Sequence, residues 1–193
     1  MENIRAFIAI NLSLEIREFI SSLRNYFQIE EFKVKWVEKD NLHLTLKFLN
    51  YISPEQVNLA SSSIKEITNQ FNPFLLKLSS EIGLFPTYQA PRIVWVGIKE
   101  GTNKLIKLSD IIEKMLYKRG FPIENKKFSS HITIGRIKYI KDRNNLINIL
   151  KNIDVKCISQ EVKSIELMES KLTPSGPIYS ILDTFPLKIK NNI

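Results

Sequence analysis

Residues 42–48 read LHLTLKF and residues 131–136 read HITIGR. In both stretches apolar residues alternate with polar ones, which is the pattern of a half-buried β-strand. Each strand carries a histidine and, two residues later, a threonine on its polar face. Average residue usage makes a chance origin of both motifs improbable, on the order of one in ten thousand. The four residues are His43, Thr45, His131 and Thr133.

Strict alternation also predicts the surroundings of the two motifs. It adds Lys47 to the face of His43 and puts Phe48 with the buried leucines on the opposite face. In the second strand it aims Arg136 away from His131, unless Gly135 permits a β-bulge there.

The two histidine strands occupy equivalent points of an internal repeat. Each copy is expected to run strand, helix, strand, helix, over residues 4–72 and 91–151. Equivalent landmarks lie 87 to 89 residues apart: Arg5 and Arg92, Ser13 and Thr102, His43 and His131, Ser53 and Asp142. Ser13 and Thr102 are expected helix N-caps, Ser53 opens a capping box, and Gly120 suits a helix C-terminus.

Further strands complete the expected fold. Residues 32–37 are predicted to pair with residues 42–49, and residues 162–187 to form a C-terminal hairpin around a turn at 173–177. We therefore predict a single bilobal α+β domain over residues 1–193. Its two antiparallel sheets face a central cleft in a pseudo-two-fold arrangement, with the helices outside.

Composition excludes several classes of protein. The 193 residues contain one cysteine, two histidines and no apolar run of membrane-spanning length. No phosphate-binding loop motif is present, the soft ligands are too few for a zinc site, and the first residues do not resemble a secretory signal. We therefore expect a cytoplasmic protein with no metal, no other cofactor and no membrane contact.

The net charge of +8 favours an anionic partner such as nucleic acid. The chain is rich in isoleucine, asparagine and lysine together, however, and genome base composition could produce the same charge.

Two imidazoles that face each other across a cleft can act as general acid and general base. One deprotonates a nucleophile while the other protonates a leaving oxygen. Threonine hydroxyls on the same faces could hold the oxygens of a phosphate. The pattern indicates metal-free chemistry on a strained phosphodiester such as a cyclic phosphate. The two motifs are too symmetric for the residues alone to assign the acid and the base.

The sequence resembles the 2H phosphoesterases and, within them, the RNA 2',3'-cyclic phosphodiesterases, also called bacterial and archaeal 2'-5' RNA ligases. The resemblance covers essentially the whole chain. It rests on RAFIAI at 5–10, KWV at 35–37, HLTLKFL at 43–49, Phe85-Pro86, PRIVWVG at 91–97, HITIGR at 131–136 and GPIY at 176–179.

This resemblance implies hydrolysis of RNA 2',3'-cyclic phosphate ends to 2'-phosphates. Carried over by motif, His43 is the proton donor to the leaving 3'-oxygen and His131 is the proton acceptor that activates water. Thr45 and Thr133 bind phosphate oxygens, and Arg136 matches the arginine that ends the second motif as a further phosphate contact. The expected partner is RNA with cyclic phosphate ends, tRNA fragments among them, and the protein is expected to be a monomer.

One position departs from the family pattern, since proline often precedes the second histidine and Ser130 stands here. Additional candidates are weaker. Phe7, Phe48 and Tyr179 are considered for stacking on bases and Arg92 and Lys47 for phosphate contact, whereas Trp36 and Trp95 are interpreted as packing residues.

Three alternative functions stay open. The same site could run the reverse reaction and join RNA ends through a 2'-5' bond. The protein could instead hydrolyse small cyclic nucleotides. A third possibility is a non-catalytic module whose histidines only recognise a terminal phosphate.

Overall fold

The computed structural model describes residues 2–27, 32–174 and 176–188. Ser175, in the expected hairpin turn, lies outside these ranges. Two 3-10 turns cover Leu23–Phe27 and Lys39–Asn41. The strands and helices follow in the order β1 (Ile4–Asn11), α1 (Leu14–Ser22), β2 (Phe32–Trp36), β3 (His43–Ile52), α2 (Pro54–Thr68), β4 (Phe74–Phe85), β5 (Ile93–Glu100), α3 (Thr102–Lys118), β6 (His131–Ile140), α4 (Arg143–Asn152), β7 (Ser159–Val162), β8 (Ser164–Thr173) and β9 (Gly176–Pro186).

The strands form two antiparallel sheets, with the orders β3-β1-β8-β9 and β2-β6-β5-β4-β7. In each sheet a histidine strand pairs with the first strand of its own repeat, β3 with β1 and β6 with β5. The helices lie against the sheets: α2 contacts β8 and β9, α3 contacts β3 and β5, and α4 contacts β4. The predicted α+β class with two antiparallel sheets is confirmed.

The helices form where apolar residues recur every three or four positions. In α3 these residues make one fully buried stripe, which consists of Leu105, Leu108, Ile112 and Leu116. Burial of each such side chain contributes about 2 kcal/mol to folding. The predicted capping box at Ser53 is present, Ser13 accepts a hydrogen bond from Ile16 N, and Gly120 has a φ of 88° at the end of α3.

The predicted N-cap of α3 is wrong by one residue. Gly101 is the N-cap, with a φ of 90°, and Thr102 is the first helical residue. The Thr102 hydroxyl donates to Ile98 O instead, at 2.9 Å. A Cβ at position 101 would lie 2.7 Å from Leu75 O, so the tight turn out of β5 requires glycine there.

The predicted pairing of residues 32–37 with residues 42–49 is also wrong. β2 pairs with β6 in the other sheet, and the pairing continues as far as a hydrogen bond from Val37 N to Ile134 O. The 3-10 turn at Lys39–Asn41 carries the chain from one sheet to the other. The strands β4 and β7 were not predicted, although alternating apolar residues in β4 carried a signal. β8 and β9 form the predicted C-terminal hairpin.

A β-bulge follows the threonine of the first motif. In the pairing of β3 with β1, Ala9 is opposite Thr45 and Ile8 is opposite Lys47. Leu46 is therefore the extra residue on β3, and the residues after it change faces. We call the face that carries the histidine in each sheet the cleft face.

The second motif has an equivalent bulge. In the pairing of β6 with β5, Trp95 is opposite Thr133 and Val94 is opposite Gly135. Ile134 is therefore the extra residue, 88 positions after Leu46. The internal repeat thus extends to an irregularity of the backbone.

The bulges reverse the predicted orientation of the residues that follow them. Phe48 lies on the cleft face with 47% of its surface exposed, and Lys47 faces the core with 2% exposed, so both predictions from strict alternation are wrong. Arg136 lies on the cleft face, because the bulge at Ile134 reverses the alternation that would otherwise aim it away from His131. The same bulge points position 135 into the core, where a Cβ would lie 2.6 Å from Val34 Cγ1. Position 135 therefore requires glycine.

The buried Lys47 ammonium is part of a polar network. Its Nζ lies 2.6 Å from Glu113 Oε2 on α3 and donates to Pro122 O at 3.0 Å. Glu113 Oε1 accepts from Glu124 N, and Glu124 accepts in turn from Phe48 N at 2.9 Å. The network ties β3 to α3 and to the segment that leads to the second histidine.

In the described part of the chain, no helix has both the length and the apolar character needed to cross a membrane.

Removal of the Glu113 charge should destabilise the protein, because it leaves the Lys47 ammonium buried without a counter-ion. We expect Glu113→Gln to lower the free energy of unfolding by about 3 kcal/mol in a urea titration. Lys47→Met/Glu113→Gln should recover most of this loss, and Lys114→Gln, on the exposed side of the same helix, is the control. A wild-type stability for Glu113→Gln would contradict the ion pair.

Candidate active site

His43 stands at the first position of β3, half-buried between two aromatic rings. Its ring centroid lies 4.8 Å from that of Phe7 on β1 and 5.2 Å from that of Tyr179 on β9. These rings are 5.1 Å from each other. With Ala9 and Met168 they form a small apolar cluster on the cleft face, separate from the main core.

His131 stands at the first position of β6 and has its own aromatic wall. Its centroid lies 4.9 Å from that of Phe85, at the end of β4, and 6.3 Å from that of Trp95 on β5. Phe85 and Trp95 are stacked on each other at 5.1 Å. Trp95, interpreted from the sequence as a packing residue, therefore borders the imidazole. The alternation of Val94 and Val96 with Trp95 was a signal that could have placed the indole on the histidine face.

The same backbone contact holds both imidazoles. His43 Nδ1 lies 2.8 Å from Asn41 O, and His131 Nδ1 lies 2.8 Å from Ser129 O. A carbonyl oxygen can only accept, so Nδ1 is the protonated nitrogen in each ring. Nε2, on the other side of the ring, is left to accept or release a proton. The sequence motif did not reveal this contact, because it comes from the backbone two residues earlier.

Burial lowers the pKa of both histidines from the ordinary value of 6.5, because desolvation disfavours the charged ring. The hydrogen bond to the carbonyl acts in the opposite direction in each case and offsets part of the effect. Both rings are therefore predominantly neutral at pH 7 in the free protein.

The threonines of the two motifs lie beside the histidines, on the cleft face and half-buried. Within the ranges that the structure describes, neither the Thr45 nor the Thr133 hydroxyl has a hydrogen-bond partner in the protein. Both are available as donors to a bound anion.

The second sheet brings cations to the cleft face beside His131. Arg136 is opposite Lys35 of β2 and Ile93 of β5, so all three side chains share one face. The Arg136 charge acts on Tyr179 in the other sheet: burial raises the pKa of that phenol, and the charges of Arg136 and Arg5 lower it in part. Arg136 therefore lies close to an aromatic neighbour of His43.

Other contacts link the start of β9, in the first sheet, to β2 of the second sheet and to the turn that follows β2. Asn41 Nδ2 donates to Pro177 O at 2.9 Å, and Lys35 Nζ lies 3.7 Å from the position of a Cβ on Gly176. The strands β3 and β6 also approach each other directly. The two His-x-Thr motifs are thus brought together with Arg136, whereas Lys47 is kept apart from them.

Glu166 on β8 is a buried carboxyl that no motif in the sequence indicates. It is opposite Ala9, which is itself opposite Thr45, so it lies on the cleft face of the first sheet. Burial raises its pKa, and hydrogen bonds from the Ser164 hydroxyl and Asn11 N oppose that shift. Its contact with Asn11 N, 3.2 Å long, supports the part of β1 that pairs with His43.

The position that departs from the family pattern keeps the histidine contact. Ser130 donates to Thr102 Oγ1 at 3.3 Å, and the carbonyl that His131 needs belongs to the preceding Ser129. Among the described residues, no group of three or more His, Cys, Asp or Glu side chains is arranged to hold a metal ion.

A family model described as LigT like Phosphoesterase matches residues 10–95 and 96–179. The chain belongs to the LigT-like phosphoesterase family. The two matched segments divide the chain near the start of its second repeat, and each contains one of the histidine motifs.

Curated relatives and solved structures agree with this membership. The chain is 35% identical to an RNA 2',3'-cyclic phosphodiesterase of Aquifex aeolicus, over 97% of this chain and 99% of that one. It is 36% identical to a protein of the same name from Methanocaldococcus jannaschii, over 92% and 98% of the two chains. The crystal structure of E. coli LigT with 3'-AMP superposes with a TM-score of 0.73 at 26% identity, over 97% of this chain and 100% of that one.

The two imidazoles should show their environment directly in an NMR titration, since the chain has no other histidine. We expect both rings to titrate below pH 6.5 and to be Nδ1–H tautomers at pH 7, as read from two-bond ¹H–¹⁵N couplings. A His43→Gln spectrum assigns the signals. An Nε2–H tautomer for either ring would contradict the contact with the backbone carbonyl.

Proposed function

We propose that this LigT-like phosphoesterase hydrolyses the 2',3'-cyclic phosphate at the end of an RNA strand to a 2'-phosphate, with His43 as general acid and His131 as general base. The observation that carries the proposal is the pair of half-buried imidazoles, each held through Nδ1 and each beside a threonine hydroxyl that no described residue binds. The names of the curated relatives support the choice of substrate.

The proposed reaction is one displacement at phosphorus. His131 Nε2 takes a proton from water as the water oxygen bonds to phosphorus. The bond from phosphorus to the 3'-oxygen breaks, and protonated His43 gives its Nε2 proton to that oxygen. The bond to the 2'-oxygen is kept, so the product is a 2'-phosphate with a free 3'-hydroxyl. Proton exchange with solvent then restores both rings.

Neutral and cationic donors would stabilise the extra negative charge on the phosphate oxygens in the transition state. Thr45 and Thr133 can each donate a hydrogen bond to a non-bridging oxygen. The guanidinium of Arg136, on the same face as Thr133, can offset charge from one side of the cleft. No step of this mechanism requires a metal ion or an organic cofactor.

The aromatic walls have a proposed role in the same step. Phe7 and Tyr179 on one side, and Phe85 and Trp95 on the other, reduce the access of water to the imidazoles. Lower local polarity strengthens the interactions between the phosphate and its donors. The same low polarity lowers the pKa of both histidines in the free protein. The negative charge of a bound phosphate would raise these pKa values again.

We also propose a natural substrate, an oligomeric state and a location for the protein. The substrates are RNA ends with 2',3'-cyclic phosphate, tRNA fragments among them, and the protein works as a monomer in the cytoplasm. The net charge of +8 supports an RNA partner. We propose hydrolysis as the direction, because water at high concentration disfavours the reverse ligation.

Loss of either imidazole should lower the turnover of an RNA with a 2',3'-cyclic end by about 10² to 10⁴. EDTA should have no effect, and the wild-type product should be the 2'-phosphate, identified by chromatography beside 2'- and 3'-phosphate standards. Lys107→Ala, on the exposed face of α3, is the control. Binding without turnover by the wild type would support the phosphate-recognition module instead.

A better leaving group should separate the acid from the base. Replacement of the 3'-oxygen by sulfur gives a thiolate that departs without protonation, since thiol pKa values lie near 8.5. We expect this substrate to relieve most of the defect of His43→Ala and little of that of His131→Ala. The opposite pattern would exchange the two roles while leaving the reaction itself unchanged.

The pH dependence of kcat/KM should be a bell with its maximum below pH 6.5. On the acidic side the general base becomes protonated, and on the alkaline side the general acid loses its proton. Burial lowers both pKa values in the free enzyme below 6.5, so both limbs shift to acidic pH. A maximum above pH 7 would show that other groups control the rate.

A further inference from the structure

A cavity of about 440 Å³ lies where β6 runs beyond the start of β5, next to the loop at residues 89–92. We call it the β6-end cavity. Its lining combines Tyr139 with four cations, the cavity cations, which are Arg92, Lys138, Lys141 and Arg143. None of the proposed catalytic groups lines it.

The cavity cations stand without acidic partners in the part of the chain that the structure describes. Within residues 2–27, 32–174 and 176–188, none of their four side chains forms an ion pair or a hydrogen bond. The nearest carboxylate along the chain, Asp142, is engaged as the N-cap of α4, where it accepts from two backbone amides. Four neighbouring unpaired cations repel each other, so this arrangement favours a bound anion.

Tyr139 adds an aromatic surface to this charge. More than half of its side chain is exposed, at 54%, and no described residue binds its hydroxyl. Tyr139 is opposite Lys33 of β2, and Arg136 is opposite Lys35. Lys33 and Lys35 are two positions apart on the same strand, so their side chains share a face. Lys33 and Tyr139 therefore lie on the cleft face, on the same side of the sheet as Arg136 and His131.

A continuous path thus leads from the second histidine to the cavity. Along β6 the cleft face carries Thr133, Arg136 and then Tyr139. The pairing of β6 with β2 skips Lys138, which makes a second bulge on β6 after the one at Ile134. At the usual strand rise, with an allowance for these two bulges, the distance from Thr133 to Tyr139 is roughly 15–20 Å. A phosphate held at the histidines is therefore separated from Tyr139 by more than its own nucleotide.

We infer that the RNA nucleotides preceding the terminal cyclic phosphate bind along this path, with a base stacked on Tyr139 and backbone phosphates held by the cavity cations. Alternation of cations with an exposed aromatic ring is how proteins hold single strands without reading their sequence. The inference rests on the proposed function, because it assumes that the cyclic phosphate occupies the histidine site.

The consequence is selectivity for strand length rather than for sequence. A cyclic mononucleotide would use only the histidine site, and an oligomer would gain contacts with the β6-end cavity as well. The extra contacts stabilise the bound oligomer. They therefore raise kcat/KM for the oligomer and leave kcat/KM for the mononucleotide unchanged.

The test compares 2',3'-cyclic AMP with an RNA of about ten nucleotides that ends in 2',3'-cyclic phosphate. Tyr139→Ala should lower kcat/KM for the oligomer about tenfold and leave that for the mononucleotide within about twofold. The control is Tyr117→Ala on α3, where the tyrosine is exposed to a similar extent, at 58%.

Charge is tested separately. Lys138→Ala/Lys141→Ala should weaken the oligomer reaction and reduce its dependence on salt, by about 1.4 units in the slope of log kcat/KM against log salt concentration, or about 0.7 for each lost phosphate contact. The control, Lys107→Ala/Lys114→Ala, removes the same charge from the exposed side of α3. Equal losses for both substrates, or equal losses in the control, would overturn the inference.

A binding measurement separates this inference from the proposed function. The double variant His43→Ala/His131→Ala binds a fluorescent RNA oligomer in an anisotropy titration without any need for turnover. Adding Tyr139→Ala should weaken that binding about tenfold. If the wild type hydrolyses no cyclic phosphate, the proposed function fails while this titration still decides the RNA path. Unchanged binding would overturn the path and leave hydrolysis intact.

Discussion

One extra residue in each of two strands determines what the cleft contains. The bulges at Leu46 and Ile134 reverse the alternation directly after each His-x-Thr motif. Without the second bulge the Arg136 guanidinium would point into an apolar core, at a large desolvation cost. The first bulge has the opposite effect, since it buries the Lys47 ammonium, which the fold accommodates through Glu113 on α3. The bulge at Ile134 thus brings the cation of Arg136 to the cleft face, whereas the bulge at Leu46 removes the cation of Lys47 from it.

The two histidines are equivalent in their backbone contacts and different in their neighbours. Each donates Nδ1–H to the carbonyl two residues earlier, which lies just before the strand begins. The rings around them differ: Phe7 and Tyr179 border His43, while Phe85 and Trp95 border His131. Pseudo-symmetry therefore provides two similar proton-transfer groups, and the side chains around them are where an acid and a base can come to differ.

Local features were predicted well because their causes lie close together in the chain. The spacing of apolar residues and the caps at Ser13 and Ser53 specify helices within a few residues. Strand partners have no such local cause. Residues 32–37 alternate in the same way whichever strand they join, and the pairing with β6 puts Trp36 opposite Gly135, a residue of the second repeat. The N-cap at Gly101 likewise depends on Leu75, from β4.

The sequence by itself determined the two His-x-Thr motifs, the repeat that relates them and the α+β class, because each is visible in spacing and alternation along the chain. Tertiary structure decided the register, and with it which side chains share a face with the imidazoles. Thus Phe48 and Arg136 reached the cleft, Lys47 did not, and Tyr139 came beside cations from separate segments. Register depends on hydrogen bonds and packing between residues distant in sequence, so no local pattern contains it.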